Sequence, residues 1–147
     1  MENSDNPKKS LVKEFTYNVP VEKVWQALTD KDKMRIWYFP QLLNFEPVVG
    51  FIFQFDDHNS EYQKEWVVTK VEEGKKLAHN WAYKGYPGST EVTFEIFAEG
   101  ENTKLNVTQT NLDSFPKHPA FQRERFELGW NNLLGENLKQ LLENSKN

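Results

Sequence analysis

In Val19-Pro20-Val21-Glu22-Lys23-Val24-Trp25-Gln26-Ala27-Leu28-Thr29-Asp30, followed closely by Ile36-Trp37-Tyr38-Phe39-Pro40, two short helices come directly after a strand. Pro20 suits the first turn of a helix, where its missing N–H costs nothing. Val21, Val24, Trp25 and Leu28 then form one apolar stripe at helical spacing. Thr29 with Asp32 resembles a capping box, although Asp is shorter than the usual Glu. It opens a second helix that runs to about Trp37, and Pro40 ends it. The pair carries bulky rings that need a surface to cover, with Trp25 expected to anchor the first helix in the core.

Upstream, Leu11, Lys13, Phe15 and Tyr17 alternate against Val12, Glu14, Thr16 and Asn18, the period of a strand. Downstream, from Asn44 to Thr110, the pattern is strand after strand. Phe51, Phe53 and Phe55 alternate with Ile52 and Gln54, Trp66 to Val71 is rich in β-formers, and Leu77, His79, Trp81 and Tyr83 share a face. Val92, Phe94 and Ile96 oppose Glu91, Thr93 and Glu95, as in a half-solvated antiparallel strand. Short turns at Glu72-Glu73-Gly74-Lys75 and Ala98 to Asn102 favour a meander over parallel crossovers. Asn111 to Ala120, with two prolines, reads as a loop.

From Phe121 the period becomes helical, with Phe126, Trp130, Leu133, Leu134, Asn137, Leu138 and Leu141 on one face. Gly129 and Gly135 each weaken such a helix by roughly 1 kcal/mol relative to Ala. Close approach of the sheet, or of a ligand, beside Trp130 would account for Gly129, as would a crowded neighbour. One long helix with one apolar stripe covers about six strands only if the sheet curls around it, and a partly curled sheet leaves a cleft between the two. Residues 1–9 read as a disordered lead-in and 10–144 as a single domain.

Composition narrows the function classes. The 147 residues carry a formal charge of −4, with 11 Phe, 5 Tyr and 5 Trp among them. An aromatic-rich core follows, since each ring buries on the order of 150–250 Å², and some rings are candidates to line a cavity instead. An acidic chain lacks the basic face that nucleic acid requires. No cysteine is present, so disulfides, thiol catalysis and cysteine-ligated metals are excluded. No apolar run is long enough to span a bilayer, and the polar Met1 to Asn6 is unlike a secretory signal. A cytoplasmic location is the expectation.

Several residues in fixed order carry a resemblance. They are Pro20, Val24-Trp25-Gln26-Ala27-Leu28-Thr29-Asp30, Trp37, Gly50 before Phe51-Ile52-Phe53, and Trp81. Ser89-Thr90-Glu91-Val92-Thr93-Phe94-Glu95, Thr103-Lys104-Leu105 and Gly129-Trp130 with Leu133 and Leu138 complete the set. From Leu11 to about Glu143 the chain resembles the START-like, or SRPBCC, superfamily, and within it the branch of the activator of the heat-shock-protein-90 ATPase. The resemblance implies an α+β helix-grip fold, START/Bet v 1-like. In it a curved seven-stranded antiparallel sheet wraps on a long C-terminal helix, two short helices follow the first strand, and a hydrophobic cavity is common. It also implies a possible chaperone partner. Val49-Gly50 stands where the family pattern often has Gly-Gly, and Lys31 where it often has Pro; both are expected at the mouth of the pocket.

No motif of catalysis appears: no nucleophile elbow, phosphate loop or dinucleotide fingerprint. The six serines are scattered, and His58, His79 and His118 lie in a loop, a strand and a Pro-flanked loop, so no metal and no cofactor are expected. His79 shares a face with Leu77 and Trp81, and Gln109 with Leu105 and Val107. If that face lines the cavity, both are candidates to orient a polar group of a ligand; otherwise they are satisfied core residues. Arg123 could meet a ligand carboxylate or bridge to a loop acid. The ring candidates for the cavity are Trp37, Phe39, Phe53, Trp66, Trp81, Phe94, Phe126 and Trp130.

Three functions are compatible with these features. The leading one is binding of a small, largely hydrophobic molecule between sheet and helix. The second is a protein-interaction module acting on a chaperone or similar partner. The third is an enzyme, a hydrolase or cyclase, using His79 or a carboxylate in general acid–base chemistry.

Overall fold

Alternation in the first strand, helical spacing in the next two segments and alternation again set the element order. In the computed structural model, which describes residues 10–57, 63–117 and 121–144, β1 spans Ser10–Tyr17, α1 Val21–Thr29 and α2 Lys31–Trp37. The strands β2 (Leu42–Asn44), β3 (Gln54–Phe55), β4 (Val68–Glu72), β5 (Lys76–Trp81), β6 (Thr90–Glu99) and β7 (Asn102–Thr110) follow. A 3₁₀ turn at Leu112–Ser114 breaks the segment expected to be plain loop. The lead-in assigned to residues 1–9 lies outside the described residues, as do His58 and His118.

The helix-grip architecture is present, with one difference in the strands. An antiparallel sheet in the order β1-β7-β6-β5-β4 stands beside a separate β2-β3 pair, so the seven strands do not form one continuous sheet. Phe51 and Phe53 carry the alternation, but Pro47 and the bends before Phe51 leave only Gln54 and Phe55 regularly paired. Isolated bridges such as Ile52 to Val67 still tie this segment to the main sheet.

Helix boundaries differ from the expectations by a residue. Pro20 is the N-cap of α1, its carbonyl accepting from the Lys23 and Val24 N–H groups. Asp30, rather than Thr29, caps α2, accepting from the Lys33 N–H at 3.3 Å. Thr29 is committed to the preceding helix, where its hydroxyl donates to the Trp25 carbonyl at 2.8 Å. Trp25 is half-buried, packed on the edge of the core that Val24, Ala27 and Leu28 enter fully.

The C-terminal helix runs from α3 (Arg123–Asn132) through a π-helical segment, Leu133–Leu138, into α4 (Lys139–Asn144). Its buried side chains are Phe126, Trp130, Leu134, Leu138 and Leu142, spaced by four throughout. Four residues overshoot an α-helical turn by about 40°. Such a ladder therefore drifts off the sheet unless the helix is underwound, and the i→i+5 segment supplies that correction. Asn137, expected on the buried face, is turned outward as a result, and Leu142 turns inward. The Tyr17 hydroxyl donates to the Leu134 carbonyl at 2.8 Å within this segment. Gly135 admits Phe15 there: a Cβ at Gly135 would lie 3.2 Å from Phe15 Cε1.

Candidate functional site

Register places two inward polar residues of the sheet, His79 and Gln109, on one line. His79 pairs with Val92, Val92 with Gln109 and Gln109 with Leu11, so β5, β6, β7 and β1 each contribute one residue to a single row. All four point at the helix and are essentially without solvent exposure.

Both polar members are fully engaged. His79 Nδ1 lies 2.7 Å from the Asn80 carbonyl, which can only accept, so Nδ1 carries the proton. Nε2 therefore accepts from the Tyr38 hydroxyl at 3.0 Å. Burial lowers the His79 pKa to about 4, the hydrogen bond to Asn80 opposing only part of that. Burial likewise keeps the Tyr38 phenol protonated, well above its ordinary range. Gln109 Oε1 accepts from Trp130 Nε1 at 3.0 Å, and because an indole N–H only donates, this fixes the amide's orientation. Gln109 Nε2 then donates to Thr90 Oγ1 at 3.0 Å, and Thr90 donates to the Trp81 carbonyl at 3.2 Å. Three hydrogen bonds thus connect Trp130 on the helix to Trp81 on β5.

Around this row the rings fill the space between sheet and helix. Trp37 stacks on Tyr38 with centroids 4.4 Å apart, and its Nε1 donates to the Ala27 carbonyl at 2.7 Å. Trp66 lies between His79, at 4.6 Å, and Trp81, at 4.4 Å. Its Nε1 is buried without a hydrogen-bond partner among the described residues. Phe53 packs 5.0 Å from His79, and Phe94 packs edge-on to Trp130 at 5.7 Å. Trp37, Phe53, Trp66, His79, Phe94 and Gln109 thus form the packed layer, with the helix resting directly on it.

An opening lies at one end of that layer. Phe39, Trp81, Tyr83, Phe126, Trp130 and Leu133 wall a cleft of about 320 Å³, with Arg125, Gly129 and Asn132 along its helix side. Four of the ten candidates, Phe39, Trp81, Phe126 and Trp130, meet here. Trp81 stands edge-on to both Phe126 and Trp130, with centroids 5.6 Å away in each case. Its indole N–H donates to the Tyr83 hydroxyl at 2.8 Å. Nothing lies within 4 Å of the position a Cβ would take at Gly129. The expected close approach of the sheet falls at Gly135 instead, and Gly129 opens onto the cleft. Larger hollows of about 410 and 500 Å³ are lined largely by turn residues and charged side chains at the other end of the sheet.

Some assignments change. Arg123 faces away from the cleft: its Nε donates to Glu127 at 3.1 Å and its Nη1 to the Ser10 carbonyl at 2.6 Å, joining the helix start to β1. Arg125 is the cation at the cleft. Lys31, Val49 and Gly50, expected at the mouth, are not among its walls. Tyr38 and Tyr83 were missed, Tyr38 because its partner His79 is 41 residues away. The signal for Tyr83 was its place in the alternation after Trp81. Among the described residues no cluster of His, Asp and Glu suits a metal ion, and no helix is long and apolar enough to cross a membrane.

Comparison with known proteins agrees with this geometry. Residues 18–143 match the family described as activator of Hsp90 ATPase homolog 1-like protein. No curated protein matches the sequence. Among solved structures, protein MLL2253 from Mesorhizobium loti superimposes with a TM-score of 0.75 at 24% identity, covering 95% of this chain and 100% of its own. An Aha1 dimer from Colwellia psychrerythraea gives 0.71 at 22% identity, covering 94% of this chain and 98% of its own. PFC0360w, an HSP90 activator from Plasmodium falciparum, gives 0.73 at 22% identity, covering 92% and 96%. At these identities the neighbours establish the fold.

Proposed function

The chain belongs to the activator of Hsp90 ATPase homolog 1-like family, and from that premise we propose that it binds a small, largely hydrophobic molecule in the cleft between β5 and the C-terminal helix. The observation that carries this reading is the void over Gly129, open in a helix whose neighbouring turns are packed with Phe126 and Trp130. Apolar walls and a few polar groups along one side are the usual make-up of a ligand site. Each 100 Å² of apolar surface buried there is worth about 2.5 kcal/mol before the costs of association. In this reading Phe39, Trp81, Phe126 and Trp130 contact the ligand. The inner layer, with His79 and Gln109, holds those rings in place.

The test is binding of the uncharged fluorophore N-phenyl-1-naphthylamine, alongside native mass spectrometry of the freshly purified protein. A Gly129→Leu side chain would enter the void, so it should abolish fluorophore binding while leaving the fold intact by circular dichroism. Binding unaffected by that substitution would overturn the reading.

A chaperone-directed interaction is the second reading. The family description supports it, as do the exposed Leu43, Val48, Val49 and Ile52 on and around the β2–β3 pair. Stimulation of an Hsp90-type ATPase by this protein, lost on Val49→Asp, would favour it. The acid–base reading draws no support from His79, whose two nitrogens are both committed and whose pKa of about 4 leaves it neutral near pH 7.

A further inference from the structure

We infer that the ligand of this cleft is an apolar organic acid, whose anionic group lies over Gly129 and pairs with the guanidinium of Arg125; the inference rests on the cleft reading above. Among the described residues of the cleft's walls Arg125 is the only charged one, and none of them is a carboxylate. Among the described residues it has no ion-pair partner, whereas the other nearby cations are occupied. Arg123 is held by Glu127 at 3.1 Å. Lys64 is held by Asp57 at 3.8 Å and sits over the Phe39 ring at 4.6 Å.

Helical spacing gives the placement its meaning. Arg125, Gly129 and Asn132 stand at i, i+4 and i+7, so they follow one another along the same face. The missing side chain at Gly129 leaves a gap between a guanidinium on one side and an amide on the other. Trp81 on β5, with Phe126 and Trp130 on the inner side of the same helix, forms the aromatic wall beside this polar edge. The lining is thus two-sided, aromatic toward the sheet and cationic toward the helix surface. A neutral hydrocarbon would gain nothing from Arg125, and a cation would be repelled by it. An acid with an apolar body matches both sides, and arginine's forked donors suit a carboxylate or sulfonate in particular.

A matched pair of probes separates charge from burial: 8-anilinonaphthalene-1-sulfonate and its uncharged parent, N-phenyl-1-naphthylamine. The wild-type protein should bind the sulfonate roughly fivefold more tightly, the scale of a partly exposed ion pair. Arg125→Met should remove that preference, the sulfonate losing roughly fivefold more affinity than the parent. Arg125→Lys should keep part of it, and about 0.5 M salt should reduce it. Met has a helix propensity close to that of Arg, so the variant keeps its helix. Equal affinities for the two probes, or a preference that survives in Arg125→Met, would overturn the inference and leave the cleft reading standing. A loss of both probes to the same degree in that variant would also overturn it, by showing that the side chain acts through packing. Failure of both probes to bind the wild type, or binding unaffected by Gly129→Leu, would remove the cleft reading itself.

Discussion

The Tyr38 hydroxyl meets His79 Nε2 at 3.0 Å inside the core, joining the end of α2 to the middle of β5. The contact holds a histidine in one tautomer, because its other nitrogen already donates to the Asn80 carbonyl. It also closes the inner layer beneath the cleft, since the Tyr38 ring lies 6.1 Å from that of Trp130.

Tyr38→Phe keeps the ring and removes the donor. His79 Nε2 is then buried without a partner, a loss of about 1–3 kcal/mol. Urea denaturation should show that drop with an unchanged m-value.

Acidification should find the same pair. The folded pKa of His79, about 4, lies below the ordinary value of 6.5. Between those two values the unfolded chain takes up a proton that the folded one refuses, so this contribution to stability is complete above pH 6.5 and falls as pH drops toward 4. By pH 5 the loss is about 2 kcal/mol. Comparing urea midpoints at pH 7 and 5, wild type should lose more than His79→Gln. An NMR titration should show the ring neutral until close to pH 4.

Gln109→Leu tests the link between helix and β5. It strands Trp130 Nε1 and removes the donor to Thr90, so unfolding should become easier by about 1–3 kcal/mol. Because Trp130 loses its tether, its fluorescence maximum should shift as well. An unchanged spectrum with reduced stability would mean that packing alone holds the indole.

The two helix glycines should respond differently to alanine. Gly129→Ala enters open space and gains roughly 1 kcal/mol of helix propensity. Gly135→Ala meets Phe15 Cε1 at 3.2 Å and should stabilise less. Thermal unfolding of the two variants side by side gives the order.

Much of the architecture could be read from periodicity. The alternation of β1, β6 and β7, the helix pair and the C-terminal helix all depend on local patterns that tertiary packing reinforced. The β2–β3 pair was less legible because half-buried Phe51 and buried Phe53 bond to Val68 and Trp66 without forming a regular strand. His79 and Gln109 could be picked out as inward-facing polar residues, but not their partners, since Tyr38, Trp130 and Thr90 reach them only through the tertiary fold. Nor did the sequence distinguish Arg123 from Arg125. Two residues apart on a helix face differ by more than half a turn, and only the position of Ser10 and Glu127 shows which guanidinium is already taken.

The underwound segment from Leu133 to Leu138 has a consequence for how this chain can change length. Deleting one residue there would restore ordinary α winding, and the rotation removed, about 100°, is what the underwinding already withholds, so the later side chains would keep their facing. Leu138 and Leu142 would stay on the sheet with Phe126 and Trp130, drawn about 1.5 Å nearer along the axis. The stretch behaves as one extra residue absorbed by the helix. A single deletion should be better tolerated within it than in α3 or α4, where the same loss turns every later side chain about 100° off the sheet.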